Sequence, residues 1–435
     1  GAGDFYVSFR IRTTNHAETL ISKGKSAIGT TFRVGSLPQN FDGGLRNFVT
    51  SFMATEDNTL VNVTDYDSNV VFLTANGNLV TPFQNFFLNK GESIVLAGNS
   101  TFIQNLSGFI GALITSDKPI VVNTGNATGG SGPDPGGGVS GQDLNLDQIV
   151  PIDKIGKEYI VVRGNGSESS EFPLIIATEN NTEIFVNGDT NSIGILNAGE
   201  YLTIPSSYYQ GVASQNMFIE SSKPIYLYQI LAGNTNDATS GLNFIPPLSC
   251  FFQKSVDMIP DINRIGGTFY NSDVFILTTT GSNIFINGAV SLATPQSVTG
   301  NPNWVTYRIP NLNGNVVACF FWCGVVYLGF VGGWWWGGGG SSAGRGRGGL
   351  RPRDGSRSRE SVSRRPVMEN GHGPNCRQNH PQPVARHPAR PAGPFAVERP
   401  AHQGRRVDRN ARRRYCPARA APEPDGSGAA RRRGQ

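Results

Sequence analysis

Ala54-Thr55-Glu56-Asp57-Asn58-Thr59 comes back further along the chain as Ala177-Thr178-Glu179-Asn180-Asn181-Thr182. Leu88-Asn89-Lys90-Gly91-Glu92 comes back as Leu196-Asn197-Ala198-Gly199-Glu200, and Ser116-Asp117-Lys118-Pro119-Ile120 as Ser221-Ser222-Lys223-Pro224-Ile225. The order is the same both times. A fainter third copy matches Ile184-Phe185-Val186-Asn187-Gly188 with Ile284-Phe285-Ile286-Asn287-Gly288, Ile204-Pro205 with Ile309-Pro310, and Tyr226-Leu227 with Tyr327-Leu328. The chain therefore carries an internal repeat of roughly 100 residues, and such a repeat is a supersecondary unit stacked on its neighbours. The units cover about 45–125, 170–233 and 272–331.

Each unit reads as short strands. Pro173–Thr178 and Glu183–Val186 are apolar runs, the second closed by Asn187-Gly188. Asn-Gly suits a turn in which both residues need φ > 0. Gly199-Glu200 opens Tyr201–Ile204, and Lys223-Pro224 stands between Met217–Glu220 and Ile225–Leu231. A proline there removes a ladder donor, which places it at a strand start or edge. No long stretch has helical periodicity. The expected fold is all-β, with tandem antiparallel β-sandwich-like repeats; a β-propeller is the alternative. The Gly-rich stretch 125–141 cannot bury apolar surface and is expected to be a mobile loop.

The 435 residues fall into two unlike parts. Residues 1–330 hold 15 Lys+Arg against 25 Asp+Glu, a net charge of −10, whereas residues 331–435 hold 22 against 7, a net of +15. The overall pI of about 9.0 describes neither part and gives no ground for nucleic-acid binding by 1–330. Every basic residue of the tail is Arg. The five cysteines (Cys250, Cys319, Cys323, Cys376 and Cys416) show no spacing typical of a disulfide framework or a zinc site. The chain starts at Gly1 without a signal peptide, which reads as a mature or trimmed form.

Several of these segments resemble a known family. Ile21-Ser22-Lys23-Gly24-Lys25, the Ala54–Thr59 hexapeptide, Asp147-Gln148-Ile149-Val150-Pro151, Leu196–Glu200 and Gly241-Leu242-Asn243-Phe244-Ile245-Pro246-Pro247 are similar to the IgGFc-binding protein N-terminal domain. The version they most resemble occurs in large surface proteins of Bacteroidetes that often end in a type IX secretion, gliding-motility-associated sorting domain. The resemblance spans about residues 5–315. It implies a secreted or surface-displayed adhesion or binding module and carries over no catalytic residue. The chain departs from the pattern in showing no recognisable sorting domain.

Catalytic chemistry has little to work with. His16, in a polar stretch, is the only histidine before residue 372, so it would have to serve any Ser-His-Asp or Cys-His site in the main domain. Glu56 and Glu92 could act as paired carboxylates. However, Glu179 and Glu200 hold the same repeat positions, and an active site is built once whereas a turn is built in every repeat. These groups are expected to hydrogen-bond turn backbone. Asp65-Tyr66-Asp67-Ser68-Asn69 and Asp143-Leu144-Asn145-Leu146-Asp147 offer oxygen ligands that a calcium ion could use, without the EF-hand spacing. Ordinary Asp/Asn turns explain them as well. No cofactor is expected otherwise. Sequons at Asn62, Asn99, Asn105, Asn126, Asn165 and Asn180 arise by chance in a chain this rich in Asn, Ser and Thr.

Val316–Trp336 carries no charge and is long enough to cross a bilayer. A membrane anchor at 316–336 is thus one reading. A last strand for the third copy is the preferred one, although that copy is expected to lose its register in this segment. The tail 331–435 is Gly, Arg, Pro and Ala rich and expected to be disordered. The abrupt change of composition suggests a frameshift or chimeric join near 316–340.

The expected function is a non-catalytic, secreted or cell-surface binding module for a glycan or glycoprotein, not an enzyme. A carbohydrate-active enzyme using Asp/Glu and a structural spacer of a larger surface protein are the alternatives. Recognition is expected on loops, with Tyr208 and Tyr209 in one and Asp134 in the Gly129–Gly138 stretch as candidate contacts.

Overall fold

The protein was analysed as a computed structural model, which describes residues 8–327 except 13–16, 40–45, 74–78, 81–84, 130–142, 165, 167–170, 233–239, 249–254 and 321–323. All described residues lie in the unit Gly1–Cys376. Among them there is no α-helix, only strands and four short 3-10 turns.

A hairpin of β1 (Ser8–Arg12) and β2 (Ala17–Ile21) leads in. The first module contains β3 (Gly29–Arg33), β4 (Asn47–Ala54), β5 (Thr59–Thr64), the small hairpin β6 (Phe72–Leu73) and β7 (Leu79–Val80), β8 (Asn85–Leu88), β9 (Ser93–Asn99), β10 (Leu113–Gly129) and β11 (Asp143–Ile149). Its seven-stranded sheet runs β8-β5-β10-β4-β9, with β3 and β11 also on β10. The second module contains β12 (Gly156–Val162), β13 (Phe172–Ala177), β14 (Thr182–Val186), β15 (Gly194–Leu196), β16 (Tyr201–Thr203), β17 (Asn216–Ala232) and β18 (Ser240–Phe244). Its order, β15-β14-β17-β13-β16 with β12 and β18 on β17, repeats the first strand for strand.

One 17-residue strand organises each of these modules. Leu113–Ser116 of β10 pairs with β3 and β5, whereas Ile120–Gly125 pairs with β4 and Val122–Gly129 with β11. The strand bends at Ser116–Pro119 and so belongs to two faces, β8-β5-β10-β3 and β9-β4-β10-β11. β17 does the same around Ser221–Pro224. Proline does not end the strand as expected; it marks the corner where ladder donors are not needed. The hydroxyls of Ser116 and Ser221 bond the carbonyls of Lys118 and Lys223, each at 2.7 Å, across that corner.

The third module contains β19 (Ser255–Ile259), the hairpin β20 (Arg264–Ile265) and β21 (Thr268–Phe269), β22 (Ser272–Thr279), β23 (Ile284–Ile286), β24 (Ala289–Val290), β25 (Gln296–Ser297), β26 (Trp304–Leu312), β27 (Val316–Phe320) and β28 (Gly324–Tyr327). Among the described residues the two faces here are the sheets β19-β27-β23-β24 and β25-β26-β22-β28, and residues 321–323, between β27 and β28, lie outside them. This is the sandwich architecture of the expected fold, with no propeller blade.

Residues 316–320 and 324–327 keep their pairing instead of losing register. Ile284–Ile286 pairs with Phe320–Ala318, and Phe275–Thr278 with Tyr327–Gly324. Tyr327 faces Phe275 as Leu227 faces Ile175, one residue off the alignment made from sequence. Among the described residues no helix is long and apolar enough to cross a membrane; residues 328–336 and the tail lie outside them. Of the Gly-rich stretch 125–141, expected as a mobile loop, residues 130–141 lie outside the described ones, and the part before them is not loop. Through Gly129 the chain is strand, and the buried Asn126 side chain accepts from Leu37 N at 2.8 Å and donates to Asn47 O at 2.9 Å. Gly125 (φ +145) lies so close to β11 that a Cβ there would stand 1.7 Å from Asn145 O.

The modules are joined by sheet packing. β13 is buried on both sides: Ile175 and Ala177 face the second module's own core, while Phe172, Leu174 and Ile176 join the first module's core. Leu277 and Phe275 of β22 meet Ile160 and Val162 of β12 in the same way. Cys319 is disulfide-bonded to a partner outside the described residues. The spacing of the five cysteines gave no sign of this bridge, because topology rather than spacing brings cysteines together.

Candidate ligand-binding surface

The three repeated motifs converge in space. In the first module Thr55 Oγ1 donates to Pro119 O at 2.5 Å, Lys90 N to Asp57 Oδ1 at 3.0 Å, and Leu60 N to Asp117 Oδ1 at 2.8 Å. In the second, Thr178 Oγ1 donates to Pro224 O at 2.6 Å, Ala198 N to Asn180 Oδ1 at 3.0 Å, and Glu183 N to Ser222 Oγ at 2.9 Å. Lys118 and Lys223 reach the carbonyls of Asn58 and Asn180. Asn58 and Asn181 take φ of 53° and 55°, and Gly91 and Gly199 take 82° and 86°. Each of these two modules thus has a knot that ties two hairpin turns to the bend of the long strand.

The carboxylates have structural work. Glu92 accepts from Asn89 N at 2.7 Å and Glu200 from Asn197 N at 2.6 Å. Thr59 and Thr182 donate to the backbone carbonyls of Glu56 and Glu179, whose side chains are exposed. Asp67 Oδ1 accepts from Asn69 N at 2.8 Å in an Asx turn, and Asp65 pairs with Arg33 at 3.1 Å. Asp147 is buried. Lys23 Nζ lies 2.8 Å from it, and Phe244 N and Gln148 N donate to it. Burial pushes the Asp147 carboxyl above its ordinary range despite Lys23. Among the described residues no group of three or more His, Cys, Asp or Glu could hold a metal. Asn105 and Asn126, two of the sequons, are buried.

The loop candidates separate. Tyr208, in the 3-10 turn Ser206–Tyr208, is 38% exposed, and its carbonyl accepts from Asn187 Nδ2 at 2.8 Å. Tyr209 is buried in the second module's core, its hydroxyl 3.4 Å from Gln229 Nε2, and burial, followed by the nearby Glu171, raises its hydroxyl well above the ordinary range. Asp134 and His16 lie outside the described residues. The same loop presents Val212, anchored through its N–H to Gln296 Oε1 at 2.9 Å. The equivalent turn of the first module, Ile103–Leu106, exposes Ile103.

A second set of exposed side chains was not anticipated. Among the described residues β8, β15 and β24 stand at one end of their sheets, one in each module. Each exposes one large apolar residue: Phe87 is 77% accessible, Ile195 60% and Val290 57%. Phe87 faces Leu60 and Ile195 faces Glu183, so these two occupy the same repeat position. Natural proteins usually blunt such edges with charge or proline.

A stack of β-sandwich modules, with the carboxylates of Glu92 and Glu200 engaged in turns and an apolar side chain on each module's edge, has the form of a binding scaffold. The family described as IgGFc binding protein matches residues 17–324, and the chain belongs to it. That family is of the binding type. No characterised protein and no solved structure matches the chain.

Proposed function

We propose that the protein is a secreted or cell-surface adhesion module that binds a glycoprotein through its polypeptide part. The observation that carries this reading is the apolar residue on the edge strand of every module. An open edge supplies unpaired backbone donors and acceptors, and an added strand of the ligand gains hydrogen bonds from them. Phe87, Ile195 and Val290 give such a strand apolar contacts. Tyr208 and Val212 extend the contact area at the second module. The disulfide at Cys319 supports an oxidising, extracellular setting, and the family supports a protein ligand. The Bacteroidetes surface-protein context belongs to this proposal.

The test is a glycan and glycoprotein array probed with the full chain, alone and as Phe87→Asp and Ile195→Asp. Binding to glycoproteins that survives deglycosylation and is lost in the variants is expected. Binding to free glycans, untouched by these variants, would overturn the edge-strand reading.

A further inference from the structure

The turn carboxylates recur from the first module to the second, but one carboxylate in the core does not. Asp147 stands opposite Thr124 in the ladder of β10 and β11, and Asn243 stands opposite Gln229 in the ladder of β17 and β18. Thr124 and Gln229 lie equally far beyond the matched Ile120 and Ile225, so Asn243 holds the repeat position of Asp147. The Asp147 carboxylate is therefore no part of the repeated framework. Its partner Lys23 follows β2 and is fixed twice. The Lys23 N–H donates to Gln148 Oε1 at 2.6 Å, and Nζ lies 2.8 Å from Asp147 Oδ1 and 2.9 Å from Oδ2. The Lys23 side chain is 21% exposed and that of Asp147 7%, whereas the Lys154–Asp153 pair is open to water at 49% and 68%. Two backbone donors aim at the same carboxyl group, Gln148 N at Oδ1 (2.8 Å) and Phe244 N at Oδ2 (2.9 Å).

We propose that Lys23 and Asp147 join in an intramolecular isopeptide bond, a covalent cross-link between the segment after β2 and strand β11. In water an ammonium and a carboxylate stay an ion pair. In a dry site both charges are disfavoured, which brings the neutral amine and acid within reach. Lys23 passes one proton to Asp147. The lone pair so freed on Nζ attacks Cγ, the bond from Cγ to the protonated oxygen breaks, and that oxygen takes a second proton from the nitrogen and leaves as water. In sum, –NH3+ and –COO− become –NH–CO– and water, with no oxidant, reductant or co-reactant. Contact between the groups replaces a collision. The N–H groups of Gln148 and Phe244 are placed to hold the negative charge that builds on oxygen in the tetrahedral stage, as fixed donors do in a water-poor site. Burial raises the Asp147 carboxyl, which favours the protonated form that the attack requires. Closure consumes that carboxyl, so the titration of Asp147 is a property of the open, ion-paired chain.

The mass of the full chain, measured intact under denaturing conditions after reduction of the disulfide at Cys319, tests this. The parent is expected to be lighter than its sequence by one water, and its digest to contain a branched peptide that joins Lys23 to Asp147. Lys23→Arg keeps the charge pair but lacks the attacking amine, and is expected to show the full mass and no branched peptide. Asp147→Ala is expected to do the same. A parent at full mass overturns the inference, and so does a water loss that persists in Lys23→Arg. The readout is a covalent mass and involves no ligand, so it stands or falls apart from the edge-strand reading of function.

Discussion

The hydroxyl of Thr55 donates to the carbonyl of Pro119 at 2.5 Å, and so fastens the first hairpin turn of its module to the bend of the longest strand. Thr178 does the same to Pro224 at 2.6 Å. The proline carbonyl sits at a corner where the ladder is interrupted, so the threonine supplies a bond there. Thr178→Val keeps the shape and removes the donor. It is expected to cost about 1 kcal/mol, or more where the carbonyl is left dry. Thr178→Ser is expected to be close to neutral, and chemical denaturation of the two variants checks the difference.

Gly111 and Gly199 meet backbone to backbone between the first two modules. A Cβ on Gly111 would lie 1.8 Å from Gly199 O, and Gly111 has φ of +83°. Gly111→Ala is therefore both strained and overpacked, and is expected to cost about 2–3 kcal/mol. The loss is expected to show in thermal unfolding followed by hydrogen exchange, with amides at the joint exposed first.

Asp147 sets a pH dependence. Its folded carboxyl titrates above the ordinary 3.8 because of burial. The folded state therefore holds this proton more tightly than the unfolded chain, and stability from this group is present below 3.8 and lost as pH rises through the raised value. Asp147→Asn removes this titration. The melting temperature of the variant relative to the parent is expected to rise as pH is taken from 4 toward neutrality, less whatever is lost by leaving Lys23 without its carboxylate. A flat difference between the two proteins across that range would contradict the assignment.

Glu200 caps a turn through the N–H of Asn197. Glu200→Ala is expected to lower stability less than Thr178→Val, and neither parent nor variant is expected to hydrolyse any member of a polysaccharide panel. Melting in chelator and in added calcium is expected to coincide, since Asp67 and Asp147 already accept bonds from Asn69, Lys23, Phe244 and Gln148.

The sequence beyond residue 327 invites one genetic test. In the first two modules, the long strand is followed by a partner strand, Asp143–Ile149 or Ser240–Phe244, that leads into Val150-Pro151 or Ile245-Pro246-Pro247. The tail contains no Ile at all. Resequencing the locus is expected to reveal a frame change near 316–340, with the restored frame encoding such a strand. An intact frame with uniform codon usage on both sides would rule this out.

Much of the fold was legible because turns are written in residue types. Asn58, Asn181, Asn187 and Asn287 all take positive φ where the repeated Asn was read as a turn residue. Asn287-Gly288 forms the tight two-residue hairpin, Ile286 facing Ala289, whereas the second module widens the same turn before β15. The flanking strands β3 and β11 escaped notice because their signal is partnership with β10, not a shared motif. The register of β28 slipped by one residue because Tyr-Leu matches at either offset when one residue is inserted. Tyr209 looked like a loop residue because its neighbours are polar; only the fold shows it turned inward. The Phe87 and Ile195 row did leave a trace, as the residue just before Leu88 and Leu196, but strands of three or four residues are too short for alternation to reveal which side faces water.

The strand shared by both sheets determines how a module fails under load. A sandwich made of two separate sheets opens like a book when its halves are pulled apart. In the first two modules the binding of that book is the backbone of β10 or β17, and covalent chain crosses from one cover to the other at the bend. Traction on a surface-tethered molecule must strip strands from the margins, β8 or β15 among them, before the spine yields. The margins are also where Phe87 and Ile195 stand, so a ligand strand laid along them would reinforce the seam that tears first.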